Sequence, residues 1–428
     1  MNISRRFFLA RGGISLATIG AGSLISPDFL TRAVFAAGER PAGDKRVLVC
    51  LFQRGAADGL SMVVPHGDPF YYKHRNEISI GRPSHSGSGG AIDLDGFFGL
   101  HPAMGAMMPL YKSGELAMIH ACGSPSSSRS HFDMQDFMEA AAPDNKSVQD
   151  GWLNRVMQQR RSAAKASPFR AVSMTSVVPR SLQGDAPAMA IRDLSTFGIQ
   201  SASSGAGGAA SGFEGLYANA ANDVLQGAAK ESFDAMALLK KADPSQYVPA
   251  KSVKYPDGVF GRSLMQVAQL IKADIGLEIA CVEVDGWDTH ANQGGANGAL
   301  AGRLFDFSRG LSAFHNDLGD HMSDVLVLTM TEFGRAARQN GDRGTDHGHA
   351  SCFFAMGGRV DGGKVHGKWP GLAPDKLFED RDLAVTTDFR DVFAEACMRH
   401  LSMEQKQLAN VFPRFTVNPD RFRGICRA

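Results

Sequence analysis

Six short apolar runs, spaced along the whole chain and separated by helix-like stretches, constrain the fold more than any other feature. They are "RVLVCLF" (46–52), "ELAMIHA" (115–121), "FRAVSM" (169–174), "IACVEVDG" (279–286), "DVLVLTM" (324–330) and "SCFFAMGG" (351–358). Each is short, rich in apolar residues and bounded by Gly or polar groups, so each reads as a buried strand. Between them, residues 213–242, 263–275 and 300–322 repeat apolar side chains three and four apart, the helical spacing. Strands alternating with helices predict an α/β fold whose mostly parallel sheet is covered on both faces. The 428 residues would allow two or three domains by length. Without an internal repeat or a sharp compositional boundary, one α/β domain over 37–428 is the simplest reading. Residues 82–90 and 201–212, dominated by Gly, Ser and Ala, read as surface loops. The second loop precedes the longest helical region, so residues about 175–275 read as an inserted helical cap.

The first 36 residues carry a different message. "SRRFFLA" pairs Arg5 with Arg6, a mildly apolar Gly/Ser-rich stretch follows, and "TRAVFAAGE" offers small residues for cleavage after Ala36. That order resembles a twin-arginine export signal. It implies the twin-arginine translocase as a partner during export and a periplasmic or otherwise exported destination. The Gly content of the stretch argues against a stable membrane span, which needs about 20 predominantly apolar residues. With 45 basic and 44 acidic side chains the chain is close to neutral, and nothing in that balance calls for nucleic acid. No CxxC occurs. Cys50, Cys281 and Cys352 lie in strand-like runs, where a thiol is usually a small buried hydrophobe, whereas Cys122, Cys397 and Cys426 are open to pairing.

In a parallel sheet, ligands gather beyond the carboxyl ends of the strands. Four polar clusters fall there: "QRGAADG" (53–59), "SSSRSHFDMQD" (126–136), "DGWDTHANQ" (285–293), and "TEFGR" with "GTDHGHA" (331–335 and 344–350). Asp288 and His290 stand two apart, so an extended segment projects both to one side, where a carboxylate and an imidazole can share a divalent cation. An Asp oriented by its neighbouring His on a surface turn is the alternative. Asp346 and His347 are adjacent and His349 adds a donor. Two Asp/His sets at successive strand ends favour a metal, and mixed N/O donors suit Zn²⁺ or Mn²⁺ better than Ca²⁺. Ser128, Arg129, Ser130 and His131 open a predicted helix. Ser130 there is either an N-cap or a nucleophile, at a helix end that favours negative charge. Arg129 or Arg54 could clamp an oxyanion. "GRVDGGKV" (358–365) lacks the Ser/Thr of a phosphate-binding loop, His120 reads as a core histidine, and His366 as a turn histidine.

Together, "LFQRGAADGLSMVVP", "SSSRSHFDMQDFMEAA", "GWDTHANQ", "TMTEFGRAARQNG" and "GTDHGHAS" resemble the motifs of domain-of-unknown-function family 1501. Its members are exported bacterial proteins. That family in turn resembles the alkaline phosphatase and sulfatase superfamily. The resemblance implies a three-layer α/β/α sandwich and hydrolysis of a phosphate or sulfate ester with one or two divalent metals. It further implies Asp288, His290, Asp346 and His347 as metal ligands, and Ser130, in the right chain order, as the attacking group. His131 and either Arg54 or Arg129 would assist it. One departure stands at the end of the first strand. The superfamily places a metal-binding Asp there, and this chain has Gln53-Arg54, with Asp58 the nearest acid. A one-metal hydrolase is then expected, with Arg54 standing in for a cation. The alternative is a non-catalytic exported binding or assembly protein on the same scaffold.

Overall fold

The computed structural model describes residues 45–84, 89–160, 167–194 and 247–427. The predicted signal (1–36), the loop 201–212, the helix 213–242 and the middle of the 175–275 region lie outside the described residues.

Fourteen strands are described. Nine form the central sheet: β1 (Val47–Gln53), β5 (Leu116–Gly123), β6 (Ala171–Ser173), β7 (Met189–Ala190), β8 (Ile279–Val284), β9 (Val325–Met330), β12 (Ser351–Met356), β13 (Val365–His366) and β14 (Thr387–Asp388). Their order is β13-β5-β12-β9-β1-β8-β6-β7, with β14 also beside β5. Small antiparallel pairings join β2 (Val63–Val64), β3 (Ile92–Asp93) and β4 (Gly99–Leu100), and β10 (Arg335–Gln339) with β11 (Thr345–His347). All six predicted strands are present in the central sheet.

The central sheet is mostly parallel, with one exception. β1 pairs in parallel with both β8 and β9, whereas β12 runs antiparallel to both β5 and β9. That reversal matters for the site. The start of β12 lies at the same edge as the ends of the parallel strands, so the turn 348–350 that leads into it opens where β1, β5, β8 and β9 finish.

β1 shows why the sheet is buried on both faces. All seven of its residues are buried, and its side chains alternate between two cores. Val47, Val49 and Leu51 pack with Leu264, Val267, Leu304, Phe307 and Leu311. Those five lie on helices α3 (Val259–Lys272) and α4 (Ala299–Leu318). Leu48, Cys50 and Phe52 face the other way, onto Leu153, Val156, Val392, Phe393, Leu408 and Val411. Those belong to α2 (Trp152–Gln159), α5 (Phe389–Glu395) and α6 (Gln405–Val411). α1 (His131–Ala140) follows β5 and precedes α2 along the chain. The period-2 alternation of a strand thus produces a helix–sheet–helix sandwich. Each apolar side chain so buried contributes about 1.5–3 kcal/mol.

Parts of the 175–275 region belong to this sandwich: β7 extends the sheet edge and α3 covers one face. All six cysteines are buried and free, so Cys122, Cys397 and Cys426 do not pair. His120 is a core histidine, bonded through Nε2 to the Val63 carbonyl at 2.9 Å. Among the described residues no helix is long and apolar enough to cross a membrane.

Candidate metal centre

Three segments distant in sequence meet at the carboxyl edge of the sheet: the start of α1 after β5, the loop after β8, and the β10–β11 hairpin after β9. His131 is the first residue of α1, whose N-cap is Ser130. Asp288 and His290 follow β8. Asp346 and His347 end β11. Two glycines let these segments come together. Gly55, at φ +111°, lies against the loop after β8 so closely that a Cβ there would sit 2.8 Å from the Asp288 nitrogen. A Cβ on Gly348 would sit 2.3 Å from the Arg335 carbonyl carbon.

The three imidazoles face one another through Nε2. His347 Nε2 is 3.0 Å from His131 Nε2 and 3.0 Å from His290 Nε2. Asp288 spans them. Its Oδ1 is 3.0 Å from His290 Nε2 and 3.4 Å from His347 Nε2, and its Oδ2 is 3.5 Å from His131 Nε2. Donor atoms of His131, Asp288 and His347 all lie within 4.8 Å of one another.

What the opposite ring nitrogens do decides the chemistry. His131 Nδ1 meets Glu332 Oε1 at 2.7 Å, His290 Nδ1 meets Asp346 Oδ1 at 3.2 Å, and His347 Nδ1 meets the Arg129 carbonyl at 2.9 Å. A carbonyl only accepts, so His347 Nδ1 carries a proton. Both carboxyls are ionised. Asn340 and His290 hold Asp346 below the usual carboxylate range. Burial would raise Glu332, but the hydrogen bonds from His131 and Gln135 outweigh it and hold it low. All three Nδ1 atoms are therefore donors, and a ring that carries no second proton presents an Nε2 lone pair to the same point. Lone pairs 3.0 Å apart repel unless a cation, a proton or a metal ion, lies between them. Carboxylate or carbonyl acceptors behind metal-ligating imidazoles are the usual means of orienting them. The Glu332 hydrogen bond raises the pKa of His131, and burial lowers that of His347.

Glu332 is fully buried and also accepts from the Gly55 amide at 2.8 Å and Gln135 Nε2 at 3.0 Å. Arg335, equally buried, donates to Asp288 Oδ1 at 2.6 Å and to the hydroxyl and carbonyl of Thr345. Burial works to raise the Asp288 pKa, but Arg335 holds it below the usual range. The sequence reading missed both residues. Both stand in "TEFGR", among the strand-end clusters, but an acid followed by an apolar residue carried no spacing signal.

The structure thus gathers His131, Asp288, His290, Asp346 and His347, with Asp346 behind His290. It keeps the other expected residues apart. Asp58 is buried in a two-point ion pair with Arg75, at 2.6 and 3.0 Å, and accepts from Gln293 at 2.7 Å. It reaches the cluster only through Gln293, Thr345 and Arg335. Ser130 Oγ accepts from the Asp133 amide at 3.4 Å, the capping arrangement. Arg54 is held by Glu283 at 2.5 Å and Glu139 at 3.3 Å, and Arg129 by Asp382 at 2.5 Å and Glu379 at 2.7 Å. His349 turns away from the cluster. Its Nε2 bonds the Ser124 carbonyl at 2.8 Å, and burial lowers its pKa to about 4.

A family profile described as "Protein of unknown function (DUF1501)" matches residues 44–412, which include every residue of this cluster. The chain belongs to the DUF1501 family. A search of curated proteins finds no match for this DUF1501 chain.

Proposed function

We propose that this protein is an exported hydrolase that works with one divalent metal ion. His131, Asp288 and His347 would hold the ion, with His290 as a fourth donor. The observation that carries the reading is the convergence of three Nε2 lone pairs on one carboxylate while every Nδ1 is occupied by an acceptor. Imidazole with carboxylate favours Zn²⁺, and Mn²⁺ next. His290 and Asp288 are nearly half exposed, which leaves a solvent-facing side for a substrate group. Bound there, the ion would supply Lewis acidity to polarise that group. The residues do the rest. Glu332, Asp346 and the Arg129 carbonyl fix the ring orientations. Arg335 fixes Asp288. Phe333, whose ring centre lies 5.0 Å from His131 and 5.1 Å from His347, closes the inner side to water.

Water rather than Ser130 is the nucleophile in this reading, because the Ser130 hydroxyl already caps α1. For a phosphate or sulfate ester, the class the resemblance implies, Arg54 and Arg129 would have to leave the carboxylates that hold them. The "SRRFFLA" segment supports export.

The test is metal analysis of protein purified from the exported fraction, followed by hydrolysis of a broad ester panel before and after chelation. One ion per chain and chelator-sensitive turnover, both lost in His347→Ala and both kept in Ser130→Ala, is the expected result. Stoichiometric metal with no turnover would favour the non-catalytic binding protein. Loss of turnover in Ser130→Ala with metal retained would restore the serine as nucleophile.

A further inference from the structure

Arg54 stands directly after β1, at the strand end where the superfamily resemblance implies a substitute for a cation or an oxyanion clamp. We infer that it is instead a positioning residue for the metal centre: through the Gln135 amide it fixes the hydrogen bond that Glu332 makes to His131. The inference rests on the metal-centre reading above.

Arg54 joins two of the segments that bring ligands to the centre. Its backbone holds the loop after β8. The amide donates to the Val284 carbonyl at 2.9 Å, and the carbonyl accepts from the Trp287 amide at 3.4 Å, one residue before Asp288. Its side chain reaches α1, the helix that starts at His131. Nη1 donates to Gln135 Oε1 at 3.0 Å and to Glu139 Oε2 at 3.3 Å, while Nη2 donates to Glu283 Oε1 at 2.5 Å. From the same Gln135 amide, Nε2 donates to Glu332 Oε1 at 3.0 Å, and that oxygen meets His131 Nδ1 at 2.7 Å. Arg54, Gln135, Glu332 and His131 thus form one continuous hydrogen-bonded chain.

The chemistry of its ends leaves one orientation for the amide. An amide oxygen only accepts and an amide nitrogen only donates, whereas a guanidinium only donates and an ionised carboxylate only accepts. Arg54 therefore takes the oxygen and turns the nitrogen towards Glu332. Without the guanidinium, the half-buried Gln135 side chain would be tied at one end alone. The carboxylate behind a metal-ligating imidazole sets its orientation and basicity, so whatever fixes Glu332 is felt at His131. The guanidinium itself is closed to a substrate anion. Its side chain is 18% exposed, and an anion would have to displace Glu283 or Glu139, the latter 6% exposed.

The test is a double-mutant cycle on the full-length protein. Arg54→Lys keeps the positive charge but cannot fork to Gln135 and both carboxylates. Gln135→Met keeps the length of the side chain and loses the amide. Competition with a chromophoric chelator reads zinc affinity, the visible spectrum of the cobalt-loaded protein reads the ligand geometry, and urea unfolding without metal reads stability. Each single variant should bind zinc about tenfold more weakly, the low end of what removing an outer hydrogen-bond partner costs, and should shift the cobalt bands. The double variant should be no weaker than the weaker single, because both changes cut the same chain. Additive losses would overturn the inference, since Arg54 would then act independently of Gln135. A loss of stability in Arg54→Lys with zinc affinity and cobalt bands unaltered would overturn it too, leaving Arg54 a structural ion pair. Loss of inorganic phosphate binding in that variant, again with zinc affinity unaltered, would make Arg54 the anion clamp. These three results leave the metal centre standing. An unaltered protein that binds neither zinc nor cobalt would overturn the metal centre, and this inference with it.

Discussion

Asp58 and Asp288 both follow parallel strands, both lie within a few residues of glycines, and both accept hydrogen bonds from a buried arginine. Their surroundings differ in one respect that settles what each can do. The Asp58 side chain is 1% exposed, and its oxygens are taken by Arg75 and Gln293. Arg75 in turn uses its remaining donors on Ser61 and on the carbonyls of Ala336 and Ala337. Nothing is left over, and the knot ties the loop after β1 to the β10–β11 hairpin. The Asp288 side chain is 42% exposed, and its Arg335 contact to Oδ1 leaves Oδ2 facing His131 Nε2 at 3.5 Å. A strand-end acid is a site only where lone pairs remain unclaimed.

The sharpest way to break this contrast is to remove each acid's role in turn. Asp58→Ala strands the Arg75 charge in the core, and breaking a buried pair of this kind costs about 3–5 kcal/mol. Urea unfolding should show that loss, and the folded fraction should bind metal as tightly as the unaltered protein. Metal loss without a stability change would reverse the assignment of the two clusters.

Per residue, a somewhat smaller effect comes from two histidines buried elsewhere in the core. Burial lowers the pKa values of His120 and His400 to about 4 each. The unfolded chain binds those protons near pH 6.5, and the native state does not until about pH 4. Stability from this source is therefore complete above pH 6.5 and falls as the pH drops from 6.5 towards 4, by about 3 kcal/mol per histidine. Chemical denaturation at stepped pH checks the slope. A flat profile from pH 7 to 4.5 would mean that these rings are not closed off from solvent protons.

The open cluster should respond more gently to a change behind its ligands. Glu332→Gln keeps an acceptor for His131 Nδ1 but removes the charge, and such changes weaken metal binding by about 10–100-fold. Competition with a chromophoric chelator measures it. An unchanged affinity would show that Glu332 stabilises the fold and does not tune His131.

Much of this was legible in the sequence. Short, continuously apolar runs such as "RVLVCLF" located all six strands, because burial on both faces leaves no polar alternation. The i, i+2 spacing of Asp288 and His290 and the adjacency of Asp346 and His347 pointed to four residues that the structure brings together, although Asp346, expected as a ligand, stands behind His290. What stayed hidden depends on partners far away in the chain. The antiparallel direction of β12 has no local signal. Asp58 looks like a ligand until Arg75 is folded onto it. Glu332 and Arg335 gain their roles only when His131 and Asp288 arrive, 201 and 47 residues away. The N-cap and nucleophile readings of Ser130 share one residue pattern, and only the Asp133 amide distinguishes them.

The most direct measurement is X-ray absorption at the zinc edge of the metal-loaded protein, compared with His290→Ala. Three imidazoles and one carboxylate oxygen at about 2.0–2.2 Å are expected, falling to two imidazoles in the variant. A coordination shell without imidazole, or one that the variant leaves unchanged, would contradict the converging lone pairs on which the proposed centre rests.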